Sequence, residues 1–91
     1  EGLELGFVNE VVPQGEALAA AIRWAEQILT LSPMSIRASK EVVYRGLEMD
    51  LSEAYDAQRE FPAARAMLAS EDFIEGPRAF SEKRKPDWKG R

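Results

Sequence analysis

Ser70-Glu71-Asp72-Phe73-Ile74-Glu75-Gly76-Pro77-Arg78-Ala79-Phe80-Ser81-Glu82-Lys83-Arg84-Lys85-Pro86-Asp87-Trp88-Lys89-Gly90-Arg91 carries the most information in the chain. Asp72-x-x-Glu75 has the spacing of a capping box, in which a short polar side chain and an acid three residues on satisfy free N–H groups at a helix start. A last helix is therefore predicted from here toward Lys83. Pro77 limits where it can become regular, since proline has no N–H to donate and crowds the carbonyl one turn back. Lys85-Pro86 ends it, and the remainder reads as an irregular tail.

Working upstream, Leu51, Ala54, Tyr55, Gln58 and Phe61 recur at helical spacing behind Asp50, with Glu53 in the capping-box position. Pro62 falls inside that pattern and predicts a kink or break, after which Ala63 to Ala69 resumes helix. Ser32-Pro33 reads as the end of one helix and the start of another. Serine offers an oxygen to free N–H groups, and proline at the first helical position has no N–H to lose. Ile36, Val43 and Leu47 then mark one side of a helix reaching about Leu47. From Glu16 to Leu31, the residues Leu18, Ile22, Ala25 and Leu29 define a helical face widened by Trp24, Ile28 and Leu31. Phe7 to Val12 is apolar and β-branched and is stopped by Pro13, which predicts a short strand or extended segment. The expected fold class is mainly α: a short N-terminal strand followed by four to five helices. None of these helices is apolar all round, so each needs a partner face.

Composition bounds the function. Ninety-one residues make one small domain or part of a larger one, and a core this small is marginal on its own. An apolar share of 45% fits a folded protein. There is no Cys and no His, which excludes disulfides, thiolate chemistry, the commonest general base and the Ser-His-Asp triad. No metal site is expected. No uncharged run approaches the roughly 20 residues of a bilayer span, and no basic-apolar leader opens the chain, so neither membrane insertion nor a signal peptide is expected. The net charge of -4 is unevenly placed. Residues 1–82 hold 7 Lys/Arg against 15 Asp/Glu, a net of -8, whereas residues 83–91 carry +4. An acidic body is a poor partner for nucleic acid, but a basic tail can meet a single phosphate group.

Two acidic clusters, Glu71/Asp72/Glu75 and Glu48/Asp50/Glu53, invite a catalytic reading. Both sit at predicted helix starts, where the dipole and free N–H groups favour anions, and capping accounts for them. Ser35, Ser39 and Lys40 share a helix, but a Ser/Lys mechanism needs a desolvated lysine. Lys40 reads as a surface charge. The glycines are scattered and form no phosphate-cradling loop. From the residues alone, the chain is a helical module without catalytic groups.

Four segments in order resemble the enoyl-CoA hydratase/isomerase (crotonase) family. These are Leu5-Gly6-Phe7-Val8-Asn9-Glu10-Val11-Val12-Pro13, Ser32-Pro33 with Ala38-Ser39-Lys40-Glu41, Gly46-Leu47-Glu48-Met49-Asp50-Leu51-Ser52-Glu53-Ala54, and the closing run quoted above. The ending resembles the carnitinyl-CoA dehydratase (crotonobetainyl-CoA hydratase) branch. The resemblance implies a spiral of ββα turns followed by a C-terminal helical domain, with residues 1–13 as the last spiral strand and residues 14–91 as the helical domain. It also implies a cytoplasmic acyl-CoA enzyme that hydrates, dehydrates or isomerises a CoA thioester. No separate cofactor is implied. The helical domain would make contacts in a homotrimer or dimer of trimers and cover the CoA site. The family's oxyanion hole and catalytic carboxylates lie upstream of such a segment, so no catalytic residue is assigned. Lys83 matches the family lysine that approaches the CoA phosphates. The family's adenine-side aromatic corresponds by position to Ala64, with Phe61 as the nearest aromatic one turn earlier, and Phe80 is a further candidate. The competing expectation is a free-standing helical protein-interaction module with no enzymatic role.

Overall fold

The computed structural model describes all of residues 1–91. It contains five α-helices: α1 (Ala17–Leu29), α2 (Pro33–Gly46), α3 (Leu51–Ala57), α4 (Pro62–Leu68) and α5 (Glu71–Ser81). A short 3-10 turn, Gln58–Glu60, follows α3. The chain divides into two compact units, Glu1–Thr30 and Leu31–Arg91.

In the first unit, the expected strand at Phe7 to Val12 is absent. The Phe7 and Val8 N–H groups both donate to the Gly2 carbonyl, at 2.9 and 3.2 Å, closing a tight turn around Gly6, whose φ of +80° suits glycine. Residues 10–13 run without regular structure. A strand needs a neighbouring strand to take its N–H and C=O groups, and nothing in this chain offers one. The lead-in segment instead shares a groove with Ala17, Ala20, Ala21, Trp24 and Ile28 of α1, a stripe at i, i+3, i+4, i+7 and i+11. Only Ala20 is buried, and Leu18 and Leu29 of the predicted face stand exposed. Glu10 ties the segment down, accepting from both Arg23 Nη2 and Trp24 Nε1, the latter at 2.8 Å. These bonds, led by the indole, hold its carboxyl below the usual range.

The second unit is organised on α2 and α4. Ser32 caps α2, its Oγ accepting the Ser35 N–H at 3.4 Å, and Pro33 occupies the first helical position. The core is Ala38, Phe61 and Ala64, with Val42, Met49, Ala57, Ala63 and Met67 packed around it. The face of α2 that packs is therefore Ala38–Val42. The predicted Val43 and Leu47 are exposed, as are Leu51 and Tyr55 of α3. Pro62 breaks the third predicted helix, as expected: Phe61 is extended with ψ 139°, and Pro62 starts α4. Asp50 stands at the N-cap of α3 but makes no cap bond there. At α4 a distant residue does that work, since Glu41 Oε2 of α2 accepts the Ala63 N–H at 2.6 Å. The same carboxylate pairs with Arg45, whose guanidinium lies 5.3 Å from the Phe61 ring centre. No large side chain is fully buried anywhere in the chain.

Candidate functional site

The closing run folds back on itself, and its acids account for the geometry. Ser70, not Asp72, is the N-cap of α5, its Oγ accepting the Phe73 N–H at 3.1 Å. The predicted capping box at Asp72-x-x-Glu75 is thus corrected, because both acids reach the tail instead of the helix start. Asp72 is 3% exposed. Its carboxylate accepts Ser32 Oγ at 2.9 Å, the Lys89 N–H at 2.7 Å and the Gly90 N–H at 3.2 Å. Burial pushes its carboxyl up, but the donors, led by the Lys89 amide, outweigh burial and hold it below the ordinary value. One carboxylate therefore joins the start of α2, the first turn of α5 and the tail. The Glu71 N–H adds a bond to the Arg91 carbonyl at 2.7 Å.

Glu75 makes the second tie. It receives Arg84 in a two-pronged pair, Nη1 to Oε1 at 2.5 Å and Nη2 to Oε2 at 3.0 Å, and also accepts the Asp87 N–H at 2.8 Å. Arg84 and the Asp87 amide hold its carboxyl down at about 2. Arg84 Nε donates to Glu82 at 2.6 Å, and Arg78 donates to the same Glu82 at 3.0 Å. Gly76 completes the docking surface, since a Cβ there would stand 3.3 Å from Cη2 of Trp88. Lacking a Cβ, Gly76 also avoids the clash that disfavours helix before proline, and α5 passes through Pro77 without ending.

Between these ties lies Lys83, the only non-glycine residue with a left-handed backbone, φ +52°. The Arg84 N–H donates to the Ala79 carbonyl at 3.1 Å and the Lys83 N–H to the Phe80 carbonyl at 3.2 Å. This pair of bonds is the Schellman ending, in which glycine normally takes the left-handed place. Lys83 is exposed and its ammonium has no acid partner, because Glu75 and Glu82 are engaged by arginines. Lys85 is likewise exposed and outside the ion pairs. Phe80, three residues before Lys83, is 86% exposed.

The site residues anticipated from sequence therefore separate. Lys83 and Phe80 stand together at the end of α5. Phe61 lies apart in the core at 6% exposed, where packing against Ala38 and Ala64 accounts for it. Sequence reasoning missed Asp72, Glu75 and Arg84 as a connected set, and the only signal for it was the alternation of acids and bases between residues 71 and 91. No cluster of His, Cys, Asp or Glu is arranged to hold a metal ion, and no helix is long and apolar enough to cross a membrane.

Comparison with known proteins accords with this architecture. The sequence profile for enoyl-CoA hydratase/isomerase matches residues 1–91. A carnitinyl-CoA dehydratase from Escherichia coli K12 is 43% identical over all of this chain, and one from Salmonella typhi is 41% identical. The chain spans 36% of the length of each. Among solved structures, an enoyl-CoA hydratase/isomerase from Mycobacterium paratuberculosis superposes with a TM-score of 0.90 at 33% identity, covering 99% of this chain and 35% of that one. A short-chain enoyl-CoA hydratase structure from Novosphingobium aromaticivorans gives 0.88 at 38% identity, with the same two coverages. With its whole length matched by the profile, the chain belongs to the enoyl-CoA hydratase/isomerase family.

Proposed function

We propose that this chain is the C-terminal helical part of an acyl-CoA enzyme that hydrates, dehydrates or isomerises a CoA thioester, and that it covers the CoA site without supplying catalytic carboxylates. The observation that carries the reading is the engagement of the acids of the closing run. Asp72, Glu75 and Glu82 are all spent on the tail and its arginines, while the Lys83 ammonium is left unpaired and Phe80, three residues before it, is exposed. A catalytic carboxylate needs a raised pKa and room for a substrate proton, and these acids are held in the opposite direction. An unpaired lysine suits a phosphate group. The proposal includes acyl-CoA as the small-molecule partner, a homotrimer or dimer of trimers as the assembly, and a cytoplasmic location. The broad apolar exposure of Leu47, Leu51, Tyr55 and Ile74 supports self-association.

Calorimetric titration with a CoA thioester tests the reading. Lys83→Ala is expected to weaken binding several-fold at low salt, with the gap narrowing as salt screens the charge. Equal affinities would reject Lys83 as a CoA contact. Hydration of crotonyl-CoA by the purified 91-residue chain would reject the claim that its carboxylates are structural.

The alternative of a free-standing interaction module draws on the same apolar exposure. A chain that bound no CoA thioester and stayed a folded monomer at all concentrations would exclude both the CoA role and the assembly role.

A further inference from the structure

Lys83 adopts a backbone conformation that lysine avoids. The left-handed region is disfavoured for a residue with a Cβ by roughly tenfold in population relative to the right-handed one. Left alone, this corner would be occupied only a fraction of the time. Such outliers persist where the surroundings over-determine them. Here the surroundings are identifiable, because both chain neighbours of Lys83 are anchored. Glu82 is held by Arg78 and Arg84, and Arg84 is gripped by Glu75 through two parallel hydrogen bonds. Three residues further on, the Asp87 N–H returns to the same Glu75. The Glu75 side chain is 18% exposed, so this clamp is partly shielded from water. Lys83 itself contributes no side-chain bond to the arrangement.

We propose that Glu75 is a positioning residue for Lys83. By gripping Arg84 and the Asp87 amide, it holds the left-handed corner that keeps the Lys83 ammonium free of acid partners and available to an anionic group. The inference rests on the CoA reading only for the identity of that anion, a phosphate of CoA. The clamp itself is a property of the chain. Its consequence is quantitative. When only a fraction of molecules has the competent corner, apparent affinity falls by that fraction. Glu75 would then control an affinity to which it makes no contact.

The experiment pairs two readouts on the full-length enzyme of which this chain is proposed to be part. In the first, amide exchange at Arg84 reports whether the corner is closed, because that N–H is bonded to the Ala79 carbonyl only when Lys83 is left-handed. Glu75→Gln keeps the shape of the side chain and removes its charge, and is expected to speed exchange at Arg84 several-fold. Adding Lys83→Gly is expected to restore protection, since glycine takes the left-handed region without help. Arg84→Lys, which keeps the charge and loses the two-pronged grip, should match Glu75→Gln. In the second readout, titration with a CoA thioester is expected to show Glu75→Gln several-fold weaker, and Lys83→Ala is expected to cause a smaller loss in the Glu75→Gln background than in the wild type. Unchanged exchange at Arg84 in Glu75→Gln would overturn the clamp whatever the binding result. Additive losses in the binding cycle would overturn the positioning role. Changed exchange with a Lys83→Ala variant that binds as wild type would leave the clamp standing and reject CoA as its ligand.

Discussion

Replacing Asp72 with Ala is expected to release the C-terminal tail without unfolding the helices it rests on. The buried carboxylate accepts three hydrogen bonds, from Ser32 Oγ and from the Lys89 and Gly90 amides. A bond to a charged group contributes about 1.5–3 kcal/mol, and neighbouring bonds do not add fully, so the loss is about 3–5 kcal/mol. Against the tail stands its ordering, about 1–2 kcal/mol for each residue fixed. For residues 87–91 that opposing term is of the same size as the Asp72 bonds plus the Trp88 contact on Gly76. The tail is thus held by a small surplus that the substitution removes. The loss in global stability is bounded by the free energy of docking, because a freed tail can give its amides back to water. Amide exchange at Lys89 and Gly90 should rise by at least tenfold, and trypsin should cut after Lys89 while the α2–α4 region stays protected. Unchanged protection at Lys89 and Gly90 would refute the reasoning. So would loss of protection throughout α2 and α4, which would make Asp72 a determinant of the whole unit.

Phe61→Ala is expected to destabilise the second unit by about 3 kcal/mol, since it removes the one large side chain of the buried Ala38–Phe61–Ala64 cluster; urea unfolding measures this, and a change under 1 kcal/mol would count against a core role. The tail should also be sensitive to acid. Asp72 and Glu75 both titrate lower in the folded chain than in the unfolded one, Glu75 at about 2, so their contribution is complete above about pH 4.5 and is lost as pH falls from there toward 2. The indole resonance of Trp88 should move over that window, and a transition centred near neutrality would contradict it. At neutral pH, in the other direction, Lys83→Gly is expected to stabilise the α5 ending by about 1 kcal/mol by removing the left-handed strain, checked by thermal unfolding.

Much of the helical pattern was readable from the residues alone. Ser32-Pro33 starts a helix because serine supplies an acceptor and proline needs none, and Pro62 interrupts one because it cannot donate to the preceding turn. The four ordered segments likewise carried the family resemblance, and the profile match over residues 1–91 agrees with it. These signals act within three or four positions, which is the reach of a cap or a proline. Which face of each helix packs was not readable. Ile36, Val43 and Leu47 are as apolar as the Ala38–Val42 side, and only the placement of α4 selected the latter. The strand expected at Phe7 to Val12 failed for a related reason: its residues suit a strand, but the partner that would complete the ladder is absent from this chain. Asp72 and Glu75 show the division most sharply. Locally both are acids at a helix start, and the dipole there suffices to explain them. Their partners Lys89, Gly90, Arg84 and Asp87 lie 9 to 18 residues away in sequence, and only the return of the tail across α5 brings those donors within reach. Sequence fixed the charges and the helix ends, while tertiary structure decided which charges meet, because a hydrogen bond depends on distance in space and chain spacing encodes that distance only within a turn or two.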